Sequence, residues 1–84
     1  MEGPAVSPTV FREGGFRFFF FSLEASRMHI HVHGEGGEAK FWIEPGIELA
    51  RNYGLTHHDL ERVRRMLEGH ENEIRSAWQR HFGG

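Results

Sequence analysis

Three histidines that alternate with aliphatic residues are the group in this sequence best suited to chemistry. They are His29, His31 and His33, and Ile30 and Val32 separate them. Successive side chains of a β-strand point to opposite faces, so the segment predicts a strand with three imidazoles on one face and an apolar second face. Histidine takes up and releases protons near neutral pH and also binds transition metals. The segment therefore predicts a surface able to move protons or hold a ligand.

The residues that follow predict a hairpin. Residues 34–37 read Gly-Glu-Gly-Gly, and residues 38–42 again alternate between polar and apolar side chains. If the four residues form the loop, the cross-strand neighbours on the histidine face are fixed. They are His33 opposite Glu38, His31 opposite Lys40, and His29 opposite Trp42. One face of this hairpin then belongs to a core, and the other combines imidazoles with an ammonium, a carboxylate and an indole.

The rest of the chain must supply the elements that hold this hairpin. Pro8 can begin a strand over residues 8–12, and Glu13-Gly14-Gly15 predicts a turn. Residues 16–21 are apolar apart from Arg17, which is typical of a central strand. Residues 47–51 alternate and predict a last strand.

Beyond Thr56 the hydrophobic period changes to that of a helix. Side chains that recur every three or four positions, most of them apolar, continue through Gly69 and predict one long helix with Thr56 as its N-cap. They are Leu60, Val63, Leu67, His70, Ile74, Ala77 and His81. The predicted fold class is α+β, a twisted and mostly antiparallel sheet of four to five strands with one long C-terminal helix packed on one face.

Length and composition limit the classes of function. We expect a disordered leader over residues 1–7 and a single α+β domain over residues 8–84. The chain has no cysteine, which excludes disulfides and thiolate metal sites. It shows neither a secretion signal nor an apolar run long enough to span a bilayer, so we expect a cytoplasmic protein with no membrane partner. A net charge of −2 argues against a general basic field, but it leaves room for a local basic patch.

Four motifs in fixed order resemble a known family. They are PTVFR at residues 8–12, RFFFFS at 17–22, HIHV at 29–32 and GEAKFW at 37–42. This order resembles a family of short bacterial proteins catalogued only as a domain of unknown function, over residues 7–83. The resemblance implies a toxin-antitoxin-like arrangement, in which a second small protein is encoded nearby and is the expected partner. His29 and His31 fall within the family pattern, whereas His33 lies outside it.

The leading hypothesis is acid-base chemistry on RNA by a toxin of such a pair. Cleavage without a metal needs a base for the 2′-hydroxyl proton, an acid for the leaving oxygen and a cation near the phosphate. The candidate acid and base are His29 and His31, with Lys40 and Arg17 as the cations. Trp42 could stack on a base. The part played by Arg17 depends on strand order, which the sequence leaves open.

Two alternatives use the same face. In the first, the face is a non-catalytic interaction surface for a homodimer or for the neighbouring protein, with Trp42 as its anchor. In the second, two neighbouring histidines bind a metal, and Glu38 beside His33 adds an oxygen ligand. The histidines are also compatible with a purely structural role. The sequence commits to no metal ligand set and to no cofactor.

Overall fold

The protein forms one five-stranded sheet and two helices in a computed structural model that describes residues 8–21 and 27–83. The predicted leader, residues 1–7, lies outside the described residues. The strands, all antiparallel to their neighbours and adjacent in sequence order, are β1 (Thr9–Glu13), β2 (Phe16–Phe19), β3 (His29–His33), β4 (Glu38–Trp42) and β5 (Glu48–Tyr53). The α+β class and the predicted fifth strand are confirmed.

The predicted register of the histidine hairpin is also confirmed. Residues 34–37 form the loop, in which the N–H of Gly34 donates to the carbonyl of Gly37 at 2.9 Å. His31 pairs with Lys40, and both neighbouring pairs follow the prediction. Strand order then resolves the position of Arg17, because β2 lies beside β3 and pairs Arg17 with His33. Arg17 therefore lies on the histidine face.

The prediction of one long helix was wrong, because the helix is interrupted at His70. The two helices are α1 (His57–Gly69) and α2 (Glu71–Phe82). His70 has φ −116° and ψ 16°, outside the helical region, and its N–H donates to the carbonyls of Met66 and Leu67. Gly69 immediately before it is a poor helix former, which favours a break at this point. The spacing of three and four residues survives because both helices bury apolar side chains in one core.

The imidazole of His70 holds this junction against the sheet. Its Nε2 lies 2.8 Å from a carboxylate oxygen of Glu13 at the end of β1, and its Nδ1 lies 2.7 Å from one of Glu73 on α2. The ring also stacks on Phe11 with 3.8 Å between centroids. The two carboxylates raise the pKa of His70, Glu73 being the larger cause.

The main hydrophobic cluster lies on one side of the sheet. Both helices contribute to it, α1 through Val63 and Leu67 and α2 through Ile74 and Trp78. The buried sheet residues facing them are Phe16, Phe18, Phe20, Ile30, Val32, Ala39, Phe41 and Ile43. Among the described residues, no helix has the length and apolar character needed to cross a membrane. Neither of the two helices found in residues 8–21 and 27–83 covers the opposite side of the sheet.

Arg75 fixes α2 to the loop between β4 and β5. Its guanidinium donates to the carboxylate of Glu71 at 2.7 and 3.0 Å, to the carboxylate of Glu44, and to the carbonyl of Ile43 at 3.3 Å. The hydrogen bonds to Glu71 and Glu44 raise the pKa of Arg75 further.

Candidate functional site

The side of the sheet opposite α1 and α2, called the open face, carries all the residues predicted to do chemistry. Residues directly opposite each other on neighbouring strands project to the same face. The ladder therefore assigns to the open face Thr9, Arg12, Arg17, Phe19, His29, His31, His33, Glu38, Lys40, Trp42, Glu48, Arg51 and Tyr53. All four candidate catalytic residues and all three candidate binding residues are in this set.

The pairing arranges the middle of the open face as a row across four strands. His31 pairs with Phe19 on β2 and with Lys40 on β4, and Lys40 pairs in turn with Arg51 on β5. Paired side chains on one face lie about 5 Å apart at their Cβ atoms. An imidazole, an ammonium and a guanidinium thus lie side by side at the centre of the face.

A depression of about 250 Å³ lies over this row. Its lining residues are Phe21, His31, Glu38, Ala39, Lys40, Arg51 and Tyr53. The set includes two cations, one carboxylate, one imidazole and two aromatic rings. Such a combination suits a ligand that has both an anionic group and a flat ring.

The two rings beside the depression are well exposed. Phe21 is 41% exposed and Tyr53 is 62% exposed. Phe21 contacts His31 edge to face, with 4.5 Å between centroids. The hydroxyl of Tyr53 accepts a hydrogen bond from Arg51 at 3.2 Å. Both rings therefore keep exposed surface that a ligand can contact.

Trp42 and Phe19 are placed differently. The guanidinium of Arg27 lies 4.2 Å from the centre of the Trp42 ring, and the ammonium of Lys40 lies 4.7 Å from it. Arg17 lies over Phe19 at 4.4 Å, and its Nε donates to the hydroxyl of Thr9. These rings hold cations in place through cation–π contacts. The binding role of Trp42 stays a prediction, and its contacts show that it positions Lys40.

The ladder assigns His29 to the open face, but its ring is enclosed by aromatic side chains, one of which comes from the helix side of the sheet. His29 is only 1% exposed, and the rings of Trp42 and Trp78 lie 6.0 and 5.2 Å away. Its Nδ1 lies 2.7 Å from the carbonyl oxygen of Arg27, and because a carbonyl only accepts, Nδ1 carries the proton in this bond. The catalytic role of His29 stays a prediction. The histidines that a ligand on the open face can reach are His31 and His33.

A second row crosses the sheet at the loop end of the histidine hairpin. His33 pairs with Arg17 on one side and with Glu38 on the other, and Glu38 pairs with Tyr53. His33 is exposed. The cation, the imidazole and the carboxylate therefore lie in sequence along this row, of which Glu38 and Tyr53 line the depression.

The charge of the open face is opposite to that of the whole chain. The strand residues assigned to it include four cations, Arg12, Arg17, Lys40 and Arg51, and two carboxylates, Glu38 and Glu48. The whole chain carries −2. Positive charge is thus concentrated on the side that the helices leave open, where it attracts anionic ligands.

Sequence reasoning missed three residues of the depression: Phe21, Arg51 and Tyr53. Arg51 and Tyr53 alternate with Asn52 in β5, so a period of two would have placed them on one face together. The sequence does not show that β5 lies beside β4, and this position is known only from the strand pairing in the structure. Phe21 ends the apolar run that predicts a central strand, and its ring lies exposed against His31.

The described residues show no cluster that fits a metal. Within residues 8–21 and 27–83, no three His, Cys, Asp or Glu side chains converge on a position for an ion. His29, one of the suggested ligands, is enclosed among rings as described above.

Comparison with known proteins yields one match. The sequence model of a family described as "Domain of unknown function (DUF4160)" matches residues 15–79, which include β2 to β5, α1 and most of α2. No curated protein and no solved structure matches the chain.

Proposed function

The chain belongs to the DUF4160 family, and since that description assigns no activity, we propose from the site itself that the protein binds single-stranded RNA on its open face and cleaves it. The observation that carries the proposal is the depression at the centre of that face. Cations and exposed aromatic rings meet there, on the side of the sheet opposite α1 and α2. Proteins that bind single strands combine these two features, because cations attract phosphates and rings stack on unpaired bases.

The cleavage step follows from the two accessible histidines. In the proposed reaction, one imidazole removes the proton of the 2′-hydroxyl as the 2′-oxygen bonds to phosphorus. The bond from phosphorus to the 5′-oxygen breaks, and the other imidazole protonates that oxygen. The products are a 2′,3′-cyclic phosphate and a 5′-hydroxyl. His31 and His33 take these roles because they lie two residues apart on the same exposed face.

The cations of the middle row stabilise the charge that develops during this step. Lys40 lies beside His31 and Arg51 lies beside Lys40, so both can approach a phosphate held over His31. Trp42 keeps the ammonium of Lys40 in place from the other side. We expect these two cations to contribute both to binding and to rate.

The family resemblance extends the proposal to a biological setting. In a toxin-antitoxin-like pair the protein would be the toxin, acting on cellular RNA in the cytoplasm, with the neighbouring small protein as its partner. The test is induced expression in a bacterium of the wild type, of His31→Ala, and of His57→Ala as a control. His57 is exposed on α1, away from the open face.

We expect growth arrest with loss of intact RNA for the wild type and the His57→Ala control, and normal growth with intact RNA for His31→Ala. Intact RNA in the wild type at full expression would refute the cleavage step. RNA loss that persists in His31→Ala would refute the role of this residue.

A second function is favoured by one observation, the exposure of large apolar rings on the open face. Phe21 and Tyr53 stand well out of the surface, and such rings often anchor protein interfaces. In this alternative the protein binds a second copy or its cognate partner without catalysis. Size-exclusion chromatography separates the two functions. Association that weakens in Tyr53→Ala and is unchanged in His31→Ala would support the interaction module.

A further inference from the structure

The depression has two chemically different ends. At one end Lys40 pairs with Arg51, and at the other Glu38 pairs with Tyr53. The members of each pair lie on neighbouring strands, about 5 Å apart at their Cβ atoms. The two pairs lie two residues apart along their strands, a separation of about 7 Å. A cationic end and an aromatic end with a carboxylate are therefore set side by side.

A nucleotide of single-stranded RNA also has two chemically different ends. Its phosphate is anionic, its base is flat and carries hydrogen-bond groups, and the ribose separates the two. Arg51 donates to the hydroxyl of Tyr53 at 3.2 Å, which holds the guanidinium beside the ring. The phosphate fits the Lys40 and Arg51 end, because Glu38 repels an anion at the other end.

We propose that the depression is a nucleotide subsite that prefers guanine. The phosphate binds between Lys40 and Arg51, the base stacks on Tyr53, and the edge of the base meets the carboxylate of Glu38. This inference rests on the proposed binding of RNA and adds to it a preference among bases.

The preference for guanine follows from the chemistry of a carboxylate, which only accepts hydrogen bonds. Guanine offers two adjacent donors, the ring N1–H and the exocyclic amino group, which match the two oxygens of Glu38. Adenine and cytosine offer one amino group beside an acceptor nitrogen. The imide N–H of uracil lies between two carbonyl oxygens that repel a carboxylate. Unpaired RNA bases are commonly read on this edge.

The test uses nucleoside 5′-monophosphates as probes and NMR chemical-shift titration as the readout. The probes are the monophosphates of guanosine, adenosine and uridine, together with guanosine itself. We expect the guanosine monophosphate to bind roughly tenfold more tightly than the adenosine monophosphate, near the low end of what a bidentate contact to a base edge supplies. Guanosine without phosphate should bind more weakly than its monophosphate.

Two variants assign the preference to its residue. In Glu38→Gln the ratio between the guanosine and adenosine monophosphates should fall towards one. The matched control is Glu68→Gln, an exposed glutamate on α1, which should keep the wild-type ratio. A Tyr53→Leu variant should weaken both nucleotides together, because it removes stacking and leaves the carboxylate.

The outcomes separate this inference from the proposed function. Equal affinity of the wild type for the monophosphates, or an unchanged ratio in Glu38→Gln, would overturn the guanine subsite while RNA binding could still stand. Absence of binding to both nucleotides and single-stranded RNA would overturn the two proposals together.

Discussion

Replacing Lys40 by Gln should reveal how the open face holds RNA, because it removes one charge and little volume. Lys40 lies between His31 and Arg51 in the middle row and borders the depression. If it contacts a phosphate, binding of RNA releases one condensed counterion at this position. The loss should then appear in the salt dependence of the affinity as well as in the affinity itself.

The magnitude follows from the number of cations in reach of a strand. Lys40, Arg51 and Arg17 give three phosphate contacts, and each adds about −0.7 to the slope of log K against log salt for a single strand. The wild type should therefore show a slope of about −2, and Lys40→Gln a slope of about −1.4. At about 0.1 M salt the affinity should fall roughly fivefold in Lys40→Gln and roughly 25-fold when Arg51→Gln is added.

Fluorescence anisotropy of a labelled single-stranded RNA, measured between about 50 and 400 mM salt, gives both quantities. The matched control is Arg65→Gln, which makes the same change of charge on an exposed residue of α1. Its slope should equal that of the wild type. If Arg65→Gln flattens the slope as much as Lys40→Gln does, the slope does not depend on which face carries the charge, and the phosphate contact at Lys40 is refuted.

Three further predictions concern the stability of the fold that supports the site. The carboxylate partners of His70 raise its pKa in the folded state. Protonated His70 therefore contributes fully to the free energy of unfolding below the unfolded pKa of about 6.5, and this contribution is lost as pH rises through the higher folded pKa. Urea unfolding should show this loss as pH rises above about 6.5, and Glu13→Gln should reduce it. A contribution of His70 to stability that grows as pH rises would contradict the assignment. Arg75→Met should lower the free energy of unfolding by about 1 kcal/mol, because its partners are partly exposed, and no change in urea midpoint would show that the cluster is not stabilising. His29→Ala should lower the free energy of unfolding by about 2 kcal/mol or more because the ring is buried, whereas His31→Ala should lower it by less than about 1 kcal/mol. Equal losses for the two variants in thermal or urea unfolding would contradict the enclosed position of His29.

The sequence predicted the sheet better than the helices. Alternation in the histidine hairpin specified both its faces and its register, because a slip of one residue would bury the imidazoles and expose Ile30 and Val32. The sequence around Gly69 has no comparable pattern that would specify whether the helix continues or ends there. A stripe of apolar residues spaced by three and four is the same for one helix and for two that share a core. The break depends on His70, whose carboxylate partner Glu13 is distant in sequence.

The site was predictable only within the hairpin. The pairing of His31 with Lys40 follows from loop length, whereas the approach of Arg51 to Lys40 requires the order of the strands. The burial of His29 could not be predicted from the sequence either, because the ring of Trp78 that encloses it comes from the C-terminal helix. Local pattern fixes which residues share a strand face. Tertiary packing decides which of them a ligand can reach.

The most direct test of RNA binding on the open face is a titration of isotope-labelled protein with a short single-stranded RNA, followed by NMR. We predict that the backbone amide signals of β3, β4 and β5, around His31, Lys40 and Arg51, shift progressively, and that those of the outer surfaces of α1 and α2 do not. Shifts confined to the helices, or no shifts at saturating RNA, would contradict the assignment of the open face as the RNA-binding surface.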